Sequence, residues 1–385
     1  MTQRLPALDG LRGWAAVIVS LHHGILFMAP ATQTYLAVRI QDTDSVFAAI
    51  SKLSLMIFNG NAAVIVFFVL SGRVLFGSLQ RAGERPGSTI LAFTAKRLCR
   101  LYPPFWVALV AYIGVFVGAA YLMPDLWVVY FTFKQVLINA SLMSAPMFGA
   151  SWTLSMELLA IPILLGADFM RRGLGNAGVL LLAALLMLLP PMLDPNAPRP
   201  IGVVAFLSTL GAKHVFLFAL GALAGTEVGT RIGGTMKRIP APALLGLLLL
   251  GVMFSPYRHF SVVICQGLLV FLLICKISNA DAERDPMARL LSNPLSQYLG
   301  RISFSFYLLN PLALEILNRT AYRILPPHND RHIELGIAIG IGASILTIIP
   351  ARLMYKYVEI PTINAGRRIA GHLTGHVQGA ESCAA

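Results

Sequence analysis

Apolar runs of roughly bilayer-crossing length recur from one end of this 385-residue sequence to the other, and no other feature restricts its fold as much. A hydrocarbon core about 30 Å thick requires about 20 apolar residues per helix. Backbone amides inside lipid must be satisfied internally, so helices and closed barrels are the available structures. A barrel would read as short alternating strands, whereas 179–193 and 244–254 are continuous apolar runs. Composition agrees: 57% of residues are apolar and 12% are charged, about half the roughly 25% charge of soluble domains. The sequence therefore predicts an all-α, polytopic integral membrane bundle. It excludes a soluble enzyme, a secreted disulfide module and a disordered chain.

Ten stretches read as candidate transmembrane helices: 12–29, 61–79, 103–122, 152–169, 176–193, 211–226, 239–254, 259–276, 299–318 and 334–354. An even number puts both termini on one side. Twenty Lys and Arg fall in the loops and tails of that side against nine opposite, with Arg73 inside a span; the positive-inside rule then places both termini in the cytoplasm. The net charge of +13 belongs to these loops, so no nucleic-acid partner is implied. The segment 122–151 reads either as an interfacial helix on the outer face or as a further span. Residues 1–360 are expected to form one membrane-embedded domain, and 361–385 a short, basic, flexible cytoplasmic tail. The first apolar run has some character of a signal peptide, but Asp9 and the pair His22-His23 argue that it is retained. Four scattered cysteines imply packing rather than disulfides or zinc.

Ionisable groups inside spans are expensive and mark candidate functional positions. Arg12 and His23 are 11 residues apart, about 20° past three full helical turns, so they share a face with roughly 16 Å between them. With Arg12 at the cytoplasmic rim, His23 lies about halfway through the bilayer. His22 is about 80° off that line. Glu157 lies six residues into the span opening at Ser151 and needs a cationic partner, with Arg12 or Arg97 the options. Lys96, Arg97 and Arg100 cluster just before Tyr102-Pro103-Pro104, which fits either positive-inside anchoring or an anionic ligand. Arg73 must snorkel or point into a polar cavity. The plain alternatives are that His23 is a structural helix-to-helix contact and Glu157 a solvated helix end. His328 and His332 have helical metal-ligand spacing but read as ordinary loop residues, so no metal is expected.

At these positions the sequence resembles acyltransferase family three, polytopic membrane O-acyltransferases of bacterial surface saccharides and related glycoconjugates. Leu8-Asp9-Gly10-Leu11-Arg12-Gly13 with His23 is similar to the family's L-D-G-L-R-G opening and R-x10-H pattern. Phe67-Phe68-Val69-Leu70-Ser71-Gly72 resembles its F-F-V-L-S-G. Arg97-Leu98-Cys99-Arg100-Leu101-Tyr102-Pro103 resembles R-x-x-R-x-x-P, and Ser151 to Glu157 resembles W-S-L-S-x-E. Gly300-Arg301-Ile302-Ser303 through Tyr307-Leu308 is similar to G-x-I-S-Y-x-x-Y-L, and Glu359-Ile360-Pro361 to E-x-P. Two positions depart: Asn310 stands where many members have histidine, and Arg73 where an aromatic usually follows S-G.

The resemblance implies a multi-pass protein of the bacterial inner membrane with no permanently bound cofactor. It would transfer an acyl group, most often acetyl, from cytoplasmic acyl-CoA to a hydroxyl of a saccharide or glycoconjugate. His23 would act as general base or brief acyl carrier, with Arg12 and Glu157 positioning the reacting groups. Arg73, Arg97 and Arg100 would meet the donor's phosphates. Within the same fold the group could be succinyl or another acyl. From a different class, a transporter or flippase of a lipid-linked saccharide would also place Arg, His and Glu around a cavity.

Overall fold

The computed structural model describes residues 5–28, 40–43, 45–81, 86–143, 147–192, 213–253, 260–281, 284–324 and 333–374. Every regular element among them is helical: α1 (Pro6–Met28), α2 (Val46–Ile57), α3 (Gly60–Gln80), α4 (Pro86–Leu122), α5 (Phe133–Ala140), α6 (Ser151–Leu174), α7 (Asn176–Met192), α8 (Val215–Ala224), α9 (Glu227–Met236), α10 (Ala241–Met253), α11 (Phe260–Ser278), α12 (Pro286–Ser292), α13 (Pro294–Ile324), α14 (Ile333–Met354), a π-helical turn (Tyr355–Glu359) and α15 (Ile360–Thr374), besides a short 3-10 turn at Ile40–Asp42. The fold is an all-α polytopic bundle.

A helix occupies each of the ten expected stretches. By length and apolarity alone, five described stretches suffice to cross a membrane: Val46–Gln80, Ser88–Leu122, Ser151–Leu174, Phe260–Ser278 and Ile333–Thr374. A sixth is added if α8 and α9, bent by 79° at their junction, form one broken span. Helices α7 and α10 are short, while α1 and α13 carry much of the polar inventory of the interior. Among the described residues between α4 and α6 the helix is the eight-residue α5, about 12 Å long and too short to span. Thr132 and Gln135 form a capping box at its start.

Helix α1 lies against α13, α14, α3 and α12. Such approach needs small residues. A Cβ on Gly13 would meet Gly300 N of α13 at 2.5 Å, and one on Gly24 would meet Gly340 N of α14 at 2.8 Å. Helix α8 is buried along its whole length among α3, α6 and α7, as expected of a helix apolar all round.

The expected flexible tail from residue 361 is corrected: the chain is helical to Thr374 and α15 packs along α4. Gly366 allows this, seated against Cys99 and Lys96. Residues 375–385, together with His328 and His332, lie outside the described residues. Between α14 and α15 the Ile360 amide reaches back to the Tyr355 carbonyl, a π-turn of the kind that recurs at functional sites. It carries Glu359 into the interior.

Candidate functional site

A cavity of about 390 Å³ opens among α1, α3, α4, α6 and α13, with His22, His23, Asn61, Trp152, Tyr307 and Asn310 on its wall. His23 Nδ1 lies 2.9 Å from the Val19 carbonyl one turn back. A carbonyl only accepts, so the neutral imidazole carries its proton on Nδ1 and its basic lone pair on Nε2. His22 is tied in the same way to the Phe58 carbonyl at 2.9 Å, and the two rings meet edge to face at 5.6 Å. Both histidines therefore line one cavity despite their angular offset on α1. Asn310 donates from Nδ2 to Thr347 Oγ1 at 3.4 Å, and Thr347 in turn donates to the Ala343 carbonyl at 2.6 Å. On another part of the wall the Tyr112 and Tyr130 hydroxyls pair at 2.5 Å. Glu315 is held by Arg319 at 2.7 Å, whose guanidinium lies 4.6 Å from the centre of the Trp127 ring.

A second compartment of about 30 Å³ adjoins the first and shares Val64 and Tyr307 with it. Arg12, Glu157, Phe67, Phe68 and Thr153 are among its walls. Arg97, only 5% exposed, forms an ion pair with Glu157, which also accepts the Ser71 hydroxyl. Of the two partners open to Glu157 from the sequence, Arg97 is the one in contact. The Arg12 guanidinium sits 6.0 Å from the centre of the Phe67 ring, and Phe67 packs on Tyr307 at 5.7 Å. Arg12 and Arg100 have Glu359 and Asp9 as their electrostatic partners, and Arg97 feels Arg12 and Arg100. Glu359, 3% exposed, accepts the Ser305 hydroxyl at 2.9 Å.

Of the six expected site residues, His23 lines the larger compartment and Arg12 and Glu157 line the smaller; Arg97 is tied to the smaller one through its pair with Glu157, and Arg100 shares electrostatic partners with Arg12. Arg73 does not join them. Two residues after Ser71 it is rotated about 200° around α3, and it lies beside the α8 backbone at Gly225 with Cys275 of α11 as its electrostatic neighbour. Glu359 and Tyr307 were not singled out from the sequence as site residues. A signal for Glu359 existed: buried arginines need counter-charges, and only a few acids occur near the spans.

The fold and these compartments define a multi-pass helical membrane protein with a buried arginine–carboxylate cluster set beside a histidine-lined cavity. Residues 5–355 match the family model described as an acyltransferase domain, and the chain belongs to acyltransferase family 3. Membership makes it a membrane acyltransferase. No curated protein and no solved structure matches the chain.

Proposed function

We propose that this chain moves an acetyl group from cytoplasmic acyl-CoA to a hydroxyl of a saccharide or glycoconjugate at the bacterial inner membrane. The observation that carries the reading is the placement of His23 and Arg12 on one face of α1, in adjoining compartments. A donor held through its phosphates by Arg12 and Arg100 extends its thioester toward the larger cavity, where the acceptor lies beside His23. Planar guanidinium forks suit phosphate oxygens. Arg97 and Glu157 hold one another and fix the shape of the smaller compartment, and Glu359 orients Arg12 and Arg100.

His23 Nε2 takes the proton of the acceptor hydroxyl as its oxygen bonds to the thioester carbonyl carbon. The tetrahedral oxyanion collapses with cleavage of the carbon–sulfur bond. The imidazolium returns its proton to the departing sulfur, giving the ester and free CoA thiol. The Nδ1 bond to Val19 holds the ring in the tautomer this cycle needs. The mixed wall of hydroxyl, amide, carboxylate and aromatic groups suits a polyhydroxylated acceptor.

The test uses membranes holding the full-length protein or His23→Ala at equal level, with acetyl-labelled acetyl-CoA and native glycans. Mass spectrometry should find label in the glycan fraction for the wild type and none for the variant. A wild type that carries glycan across the membrane without consuming any acyl-CoA would instead establish a transporter.

A further inference from the structure

Two cavities that share walls are separated by whatever side chains make those walls, and here these are Tyr307 and Val64. Tyr307 lies on α13 and Val64 on α3, so the shared wall is built from two helices. Phe67 backs Tyr307 at 5.7 Å, with the Arg12 guanidinium beyond it.

The phenol is held in place. Thr153 has one hydroxyl proton and lies 2.9 Å from the Ala150 carbonyl and 3.0 Å from the Tyr307 oxygen. The carbonyl can only accept, so the threonine proton goes there and Tyr307 donates to Thr153 Oγ1. The backbone beneath is looser. Pro311 has no N–H to offer the Tyr307 carbonyl one turn earlier, so α13 lacks a ladder bond at this residue. A bulky ring on a loosened turn, held by the Thr153 bond, makes an adjustable partition.

Size decides what the smaller compartment holds against this wall. A cavity needs about 10–15 Å³ in this measure to hold one water. The 30 Å³ of the smaller compartment therefore has room for about two waters or a group of similar size. An acetyl group is of that order; a chain of eight carbons is not.

We infer that Tyr307, with Val64 opposite, is the specificity-determining residue that restricts the transferred group to short acyl chains. The inference rests on the proposed acyl-CoA donor and adds the residue that reads the acyl group. Tyr307 positions and limits the thioester by bulk, and the Thr153 bond keeps the ring in register.

The test measures binding of two inert thioether analogues, acetyl-type and octanoyl-type, to the full-length protein in nanodiscs. Wild type, Tyr307→Phe, Tyr307→Ala and Val64→Ala are compared, with transfer from the corresponding acyl-CoA followed in parallel. Each methylene that a snug apolar pocket reads is worth about tenfold or more in discrimination. Wild type should accordingly favour the short analogue at least about tenfold. That ratio should fall about tenfold or more in Tyr307→Ala and in Val64→Ala, and persist in Tyr307→Phe, which keeps the bulk. An unchanged ratio in both alanine variants, or a wild type indifferent to chain length, overturns the inference. Wild type that binds with the expected pattern but acylates no glycan would sink the proposed reaction and leave the size filter standing. Failure to bind either analogue overturns both.

Discussion

At the scale of single residues the interior is governed by the cost of burying charge. Arg97 and Glu157 share a pair with little access to water, and removing one partner strands the other. Glu157→Gln should cost about 3–5 kcal/mol, read as a fall in detergent unfolding temperature. An Arg97→Met, Glu157→Met double variant should recover much of that loss while remaining inactive; no recovery would mean the pair has other essential partners. His23 and Arg12 were legible from the sequence because their relation is local, set by helical periodicity alone. Glu359 was not, since its approach to Arg12 depends on a π-turn and on tertiary packing. Arg73 stands apart for the same reason: it is an intramembrane cation near Ser71, but two residues of helix turn it toward α8 and Cys275.

The helices themselves show where hydropathy suffices. A helix falls within each of the ten expected stretches because long apolar runs leave the backbone no other partner. Helix α2 escaped notice because Ser51 and Lys52 interrupt a short apolar stretch, and α15 because its arginines and glycines read as polar tail. Both are held by neighbours that a one-dimensional pattern does not contain. The close approach of α1 to α14 predicts that Gly24→Val cannot be absorbed by a flexible side chain, since the atoms it meets are backbone. The cost should be about 1–3 kcal/mol, seen as a lower thermal midpoint, while Gly114→Ala on α4, where a Cβ meets nothing within 4 Å, should be silent.

Helix α12 supplies a pH test away from the membrane interior. Asp285 caps it, accepting from the Ala288 and Met287 amides and pairing with Lys276 at 3.1 Å. Burial pushes its carboxyl up, but the Ala288 amide, Lys276 and the Met287 amide outweigh that and hold it below the usual carboxylate range. A lowered folded-state pKa contributes stability that is complete above the unfolded value, near 3.9, and is lost as pH falls through the folded one. Unfolding temperature should therefore drop below about pH 4 in the wild type. Asp285→Asn, which retains a capping oxygen, should lack that part of the drop; superimposable profiles would remove the ion pair from the account.

Across the whole molecule the proposed reaction divides its labour along α1. The compartment lined by Arg12 and Glu157 and the histidine-lined cavity are neighbours that share Tyr307 and Val64, so in the proposed reaction donor binding and proton transfer should be separable by mutation. The sequence indicated both ends of this axis but not the wall between them, because Tyr307, Val64 and Phe67 are ordinary apolar positions until α13 is set against α3. The most direct test of the account is steady-state release of CoA thiol, with CoA affinity measured in parallel, for wild type, His23→Ala and Arg100→Ala in nanodiscs with a soluble saccharide acceptor. The account predicts that His23→Ala lowers kcat by about a hundredfold or more and leaves CoA affinity unchanged, whereas Arg100→Ala weakens CoA binding first. A His23→Ala protein that turns over at the wild-type rate, or that loses CoA affinity as Arg100→Ala does, would contradict it.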